Sequence, residues 1–289
     1  MIQIITDSGS DFLSEEAEAG KVKVLPLKVN FGGTEYLDGK TITHDAFYEK
    51  LIETDLLPTT SQVPPAEFAD SFREDVAEGN AVVCITISQK LSGCYQSANI
   101  AREEILEDYP EAAIYIVDSE NACLGQRVLV DLAVRLRDEG MDAASIAARL
   151  EEMKKKVRLV ALIDTLEYLV KGGRLSKSAG FVGEMLSIKP VIAVENGEVV
   201  VLGKARGSKN ASNKLTEMVD RSGGIDFELP YSLAYSGLSR VVLDKYITDS
   251  EYLYKDRISP DKLPVAQIGA TIGTHVGPGA IGVAFFAKN

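Results

Sequence analysis

Through the first half of the chain, short apolar runs rich in β-branched residues alternate with longer stretches whose apolar positions recur at helical spacing. Ile2 to Thr6 is the first such run, and Asp7-Ser8-Gly9-Ser10-Asp11 follows, with Ser10 or Asp11 placed to cap a short acidic helix. Val22 to Val29 reads as the next strand, and Gly32-Gly33-Thr34 through Thr41 as a turn flanked by short strands. Thr43 caps a helix reaching about Thr54, with Phe47 and Leu51 facing inward one turn apart. Leu57 to Pro65 reads as a loop of consecutive hydroxyls bounded by prolines, and a helix from Ala66 to Ala77 follows. Ala81 to Ile87 is again a strand. Tyr95 to Leu106 is a helix with Ala98, Ala101, Ile105 and Leu106 on its inner face, Ala113 to Val117 a strand, and Ala122 to Arg137 a long helix. Strand and helix alternating at these intervals predict a right-handed parallel sheet covered on both faces.

A further helical segment, Ala143 to Lys155, ends in Lys154-Lys155-Lys156, where the basic side chains suit a helix C-terminus. Strand Arg158 to Ile163 follows, and from here the rhythm changes. Thr165 to Val170 is helical and stops at Gly172-Gly173-Arg174-Leu175-Ser176-Lys177. Ser187 to Glu195 and Glu198 to Lys204 form a hairpin around Asn196-Gly197, a strong two-residue turn signal. Helix Ala211 to Val219, strand Tyr231 to Ala234, helix Arg240 to Lys255, strand Pro264 to Ile268 and strand Ala280 to Phe286 complete the chain. The expected fold class is α/β in two domains. Residues 1–156 form an N-terminal parallel-sheet α/β domain, and residues 157–289 a C-terminal mixed α+β domain with a largely antiparallel sheet.

Composition narrows the partners. The net charge of −12 argues against nucleic acid or an anionic membrane as the main partner, because both demand a basic face. The N-terminal strand has no basic leader and no apolar run reaches membrane-spanning length, which gives the expectation of a cytoplasmic protein that is not an integral membrane protein. Cys84, Cys94 and Cys123 are an odd set without CxxC spacing, and with only His44 and His275 no metal site is expected.

Candidate chemistry gathers where strands run into helices. Ser88-Gln89-Lys90-Leu91-Ser92-Gly93 joins a strand to a helix, so unpaired N–H groups and the positive helix end face the loop, a setting for an anion. Ser92 as an ordinary helix cap is the plain alternative. Asp7-Ser8, Ser88 and Asp118-Ser119 all follow strand carboxyl ends, the edge that carries the crevice in open α/β sheets. Thr59, Thr60 and Ser61, taken alone, read as a hydroxyl-capped turn. Gly32 to Thr41 misses phosphate-loop spacing by one position. Gly277, Gly279 and Gly282 spell G-x-G-x-x-G, but a strand rather than a helix follows, so no dinucleotide is implied. His275 lies beside this glycine-rich backbone, suited to donate a hydrogen bond or proton, with a plain turn histidine the alternative.

Taken together, several of these stretches resemble the DegV family of fatty-acid-binding proteins, nearly end to end. They are Thr6-Asp7-Ser8 with Asp11, Thr59-Thr60-Ser61-Gln62, Ser92-Gly93 with Tyr95-Gln96-Ser97-Ala98, Gly172-Gly173-Arg174-Leu175-Ser176, Lys189-Pro190-Val191, and His275 with Gly277-Pro278-Gly279. Within that family, FakB proteins present fatty acid to a separate fatty acid kinase. The resemblance implies a long-chain fatty acid as ligand and no cofactor, with the carboxylate held by Thr60 and Ser92 in a hydroxyl and amide cradle that includes Ser61 and Gly93. It places His275 near the headgroup and gives Arg174 and Arg206 to the kinase encounter. The implied role is a lipid-binding subunit without catalysis of its own, feeding acyl phosphate towards phospholipid synthesis. Val63 stands where the family commonly has proline, and Cys94 where threonine is common. Two other classes stay open from the residues themselves. One is a free-standing enzyme using His275 as a general base beside Ser92, and the other a sensor in which bound lipid is structural.

Overall fold

The computed structural model describes residues 1–54, 56–176 and 188–288. In chain order the first elements are β1 (Ile2–Asp7), α1 (Ser14–Gly20), β2 (Val22–Leu25), β3 (Lys28–Phe31), β4 (Thr34–Leu37), α2 (His44–Glu53), β5 (Thr59–Ser61) and α3 (Pro65–Ala77). Next come β6 (Ala81–Thr86), α4 (Cys94–Asp108), β7 (Ile114–Asp118), α5 (Cys123–Asp138) and α6 (Ala143–Met153). The remainder comprises β8 (Val157–Leu162), α7 (Glu167–Lys171), β9 (Ile188–Glu195), β10 (Glu198–Arg206), α8 (Ser208–Arg221), β11 (Tyr231–Tyr235), α9 (Val241–Asp249), β12 (Val265–Gln267), α10 (Ala270–Val276) and β13 (Ile281–Phe286).

The mixed α/β fold follows the expected division of sheets. Strands β2-β1-β6-β7 form an all-parallel sheet, and β10-β9-β8-β13-β11-β12 a six-stranded sheet that is antiparallel except for β11 with β12. Along β6, Val82 to Thr86 are all buried, so both faces of the parallel sheet are covered; α3 with α4 and α5 with α6 pack on it. The Asn196-Gly197 turn closes the β9–β10 hairpin with both residues at positive φ, 51° and 84°. Helix α5 touches β1 and β6 of one sheet and β8, β11 and β13 of the other. Its residues Cys123 to Val130 are buried without a break, as a helix packed on all sides must be. Lys154 at the end of α6 donates to the Asp118 carbonyl and pairs with Glu120 and Glu151, and Lys155 pairs with Glu120, so two of the three lysines are tied down within the fold.

Four local expectations need correction. The strand expected over Val22 to Val29 breaks at Pro26, which has no N–H for a ladder; β2 stays in the parallel sheet while β3 joins β4 and β5 in a separate three-stranded antiparallel sheet. The loop of hydroxyls contains a short strand, since Thr59, Thr60 and Ser61 pair with Asn30, Val29 and Lys28 of β3. Neither Ser10 nor Asp11 caps α1: Leu13 is its cap, its amide bonded by Glu16, while Ser10 donates to the Asp7 carbonyl. The helix expected from Arg240 to Lys255 is α9 alone, ending at Asp249. Thr43 caps α2 as expected, its hydroxyl accepting from the Ala46 amide. Ser187 and Lys177, expected in the hairpin and in the glycine-rich turn, lie outside the described residues.

Candidate functional site

A cavity lies where the two larger sheets meet. Ile87, Leu91 and Ser92 of the β6–α4 loop, with Ala122 and Cys123 at the start of α5, line it from the carboxyl edge of the parallel sheet. Leu159 and Ala161 of β8, Ala193 of β9 and Gly282 of β13 line it from the six-stranded sheet, and Thr271, Ile272, His275 and Val276 of α10 cover it. The small residues Ala161, Ala193 and Gly282 on that sheet make the room. The polar side chains Thr60, Ser61, Gln62, Ser92, Arg174 and His275 also line it, among walls that are otherwise almost wholly aliphatic.

Thr60 stands on β5 and His275 in the last turn of α10; Thr60 Oγ1 and His275 Nε2 lie 2.8 Å apart. The histidine therefore belongs to a helix, where a flexible turn was expected. Gly172 packs against its ring, and a Cβ on that glycine would lie 2.3 Å from His275 Nδ1. That nitrogen is buried and has no hydrogen-bond partner among the described residues. Burial, and then the Arg174 charge, lower the imidazole pKa to about 4, so the ring is neutral at pH 7. The unfolded chain takes up a proton near pH 6.5 and the folded one only near 4. This contribution to stability is therefore complete above 6.5 and lost as the pH falls towards 4. Histidine NMR signals followed through a pH titration of the ligand-free protein should place His275 near 4; a midpoint at the ordinary imidazole value would show a solvated ring.

Ser92 is not the cap of α4. That position is Gly93, with no side-chain cap bond, and Ser92 Oγ instead donates to Cys94 Sγ at 3.3 Å, a weak acceptor. The hydroxyl thus remains at the cavity wall. Gly93 is required by closeness rather than by φ, since a Cβ there would lie 1.8 Å from Gln62 Oε1. Gln62 Nε2 in turn donates to Ser97 Oγ at 2.8 Å, which ties the β5 segment to α4. Ser88 does not line the cavity; its hydroxyl donates to the Gly197 carbonyl at 2.8 Å and fastens the β9–β10 hairpin to the loop. Asp118 steadies the same loop by accepting from the Gln89 amide and side chain.

The two arginines part company. Arg174 lines the cavity and its guanidinium donates to the carbonyls of Leu91, at 3.1 Å, and Gly172, at 2.6 Å. Arg206 is exposed at the end of β10 and lies outside the cavity wall. The place of Arg174 in the cavity wall, and the contribution of Gln62, were missed in the sequence. Each depends on a chain crossing between sheets, which no local spacing reports. All three cysteines are free and buried.

Comparison with known proteins agrees with this architecture. The family model described as "Uncharacterised protein, DegV family" matches residues 1–288. A DegV domain-containing protein of Caldanaerobacter subterraneus subsp. tengcongensis is 33% identical over 287 residues, covering 99% of each chain. A stearic acid-binding protein of Eubacterium ventriosum has a solved structure that superposes with a TM-score of 0.89 at 30% identity, covering 100% of this chain and 99% of its own. The structure of a fatty-acid-binding DegV family protein of Thermus thermophilus gives 0.84 at 32% identity, with 99% of each chain covered. The chain belongs to the DegV family.

Proposed function

We propose that this protein binds one long-chain fatty acid and presents its carboxylate to a separate fatty acid kinase, which forms an acyl phosphate for phospholipid synthesis in the cytoplasm. The observation that carries this reading is the cavity: a largely aliphatic space between two sheets, with a few hydroxyl, amide and guanidinium groups in its wall. Two similar proteins of known structure, from Eubacterium ventriosum and Thermus thermophilus, are described as fatty-acid-binding. Each buried methylene contributes about 0.8 kcal/mol, so some 14 of them supply roughly 11 kcal/mol before ordering costs. Hydrogen bonds to the carboxylate, about 1.5–3 kcal/mol each, mostly offset its desolvation and so orient the ligand.

In this reading Thr60 and Ser92 donate to the carboxylate, with Ser61 and the Gly93 backbone beside them. A neutral His275 donates from Nε2 to Thr60 Oγ1, which leaves the threonine proton for the ligand. The carboxylate then raises the His275 pKa from its depressed value, and binding takes up part of a proton at mildly acidic pH. Arg174 supplies a positive charge in the wall, and exposed Arg206 meets the kinase. A free-standing enzyme would need a carboxylate to orient His275, and Nδ1 has no partner among the described residues.

Native mass spectrometry of the purified protein, before and after denaturation, is the test. A mass excess released as a long-chain fatty acid is expected. Ser92→Ala should lower fatty-acid affinity about tenfold, the loss of one charge-assisted hydrogen bond, while Arg206→Ala binds normally and slows phosphorylation by added kinase. An empty protein that refuses added fatty acid would end the reading.

A further inference from the structure

The turn Asp7-Ser8-Gly9-Ser10-Asp11 is buried throughout, yet none of its side chains lines the cavity. Its bonds run to both halves of the polar wall. Asp7 Oδ2 accepts from the Ile87 amide at 2.8 Å, where β6 passes into the loop that carries Ser92. Ser8 Oγ accepts from the Leu27 amide and donates to Asp38 Oδ2, both at 3.0 Å. Asp38, itself 4% exposed, takes the Ala270 amide on Oδ1 at 3.0 Å and the Thr271 amide on Oδ2 at 3.1 Å. Asp11 Oδ1 takes the Gly269 amide at 2.8 Å. Three successive amides at the start of α10 therefore end on two buried aspartate side chains.

Helix α10 has seven residues and carries His275 in its last turn. A helix so short has little stability of its own and takes its place from what holds its ends. At one end the Asp38 carboxylate meets the positive end of the peptide dipoles, and at the other His275 meets Thr60. We propose that Asp38 is a positioning residue for the headgroup site: by clamping the first amides of α10 it sets the depth and rotation at which His275 reaches Thr60. Ser8 fastens that clamp to the same turn that holds the Ser92 loop. The inference rests on the fatty-acid reading of the cavity. It differs from a general stabilising role because most of the aliphatic wall comes from β8, β9, β13 and the β6–α4 loop, which Asp38 does not bond, while α10 adds only Thr271, Ile272 and Val276 beside His275.

Asp38→Asn keeps the size of the side chain but replaces one acceptor oxygen with an NH2 facing an amide, so one α10 amide loses its partner. Binding of oleic acid and of methyl oleate to delipidated protein separates the two roles, since only the acid presents a carboxylate. The variant should bind oleic acid about tenfold more weakly and methyl oleate within about twofold of wild type, with the His275 imidazole nitrogen signals displaced. Ser8→Ala, which leaves Asp38 in place but unfastened, should show a smaller loss with the same preference and serves if Asp38→Asn does not fold. Equal weakening of acid and ester, or unchanged binding of the acid, would overturn the proposal. Wild-type protein that binds neither ligand would instead overturn the fatty-acid reading beneath it, and the proposal with it.

Discussion

Ala161→Phe is expected to abolish fatty-acid binding while leaving the fold standing. Leu159, Ala161 and Ile163 alternate along β8 and its exit on the cavity side, whereas Val160 and Leu162 belong to the core packed on the other face. Ala161 sits opposite Gly282 of β13 and Ile192 of β9, and a Cβ added at Gly282 would meet the Ala161 methyl at 3.7 Å. Alanine beside glycine therefore leaves a shallow part of the sheet, and a phenyl ring there projects into the space proposed for the acyl chain. If the ring denies room to only four methylenes, about 3 kcal/mol of burial is lost, more than a hundredfold in affinity. Overpacking a filled core costs about 1–3 kcal/mol, but here the ring enters a void, so the melting temperature should move little. Native mass spectrometry and a thermal melt of the same preparation check both halves. A variant that retains a full-length chain would show that the ligand runs elsewhere.

Gly277→Ala should cost about 3 kcal/mol or more in folding free energy, for two reasons that act together. The residue has φ 71° and ψ −178°, a region open essentially to glycine alone. Its missing Cβ would also lie 2.4 Å from the Tyr168 ring on α7. The backbone cannot turn to relieve either, because the Gly277 amide donates to the Gly273 carbonyl at 2.8 Å and its own carbonyl accepts from Ser236 Oγ at 2.7 Å. Gly140 makes a fair control: its φ of 89° is also unfavourable to side chains, but nothing stands within 4 Å of a Cβ there. Urea unfolding should show Gly277→Ala well below Gly140→Ala in midpoint with an unchanged slope. Equal midpoints would mean that neither the Tyr168 ring nor the backbone conformation at Gly277 adds a cost beyond that at Gly140.

These two glycine contexts show what the sequence could and could not convey. The parallel sheet was readable because β6 and its helices keep their periods, and the β9–β10 hairpin because Asn196-Gly197 suits only one kind of turn. Ser92 stood out in the loop between a strand and a helix, Thr60 only through the family resemblance, and both do reach the cavity wall. Helix α10 was invisible: Gly269, Gly273 and Gly277 punctuate it, and the groups that hold its first amides are Asp38 and Asp11, far away in the chain. The break at Pro26 was overlooked because the apolar pattern continues across it, although the missing N–H was legible. Arg174 was given to the kinase encounter by resemblance alone, and nothing in a Gly-Gly-Arg sequence announces a carbonyl from Leu91 as its partner.

The bond between Thr60 and His275 joins positions 215 residues apart, and that between Asp11 and Gly269 spans 258. A chain emerging from the ribosome can build the parallel sheet early, from neighbouring strands. It cannot close the cavity until α10 has been synthesised and has docked back onto the N-terminal turn. Until then the aliphatic walls face water, and their exposure during synthesis is a hazard that the nascent protein meets without its cargo.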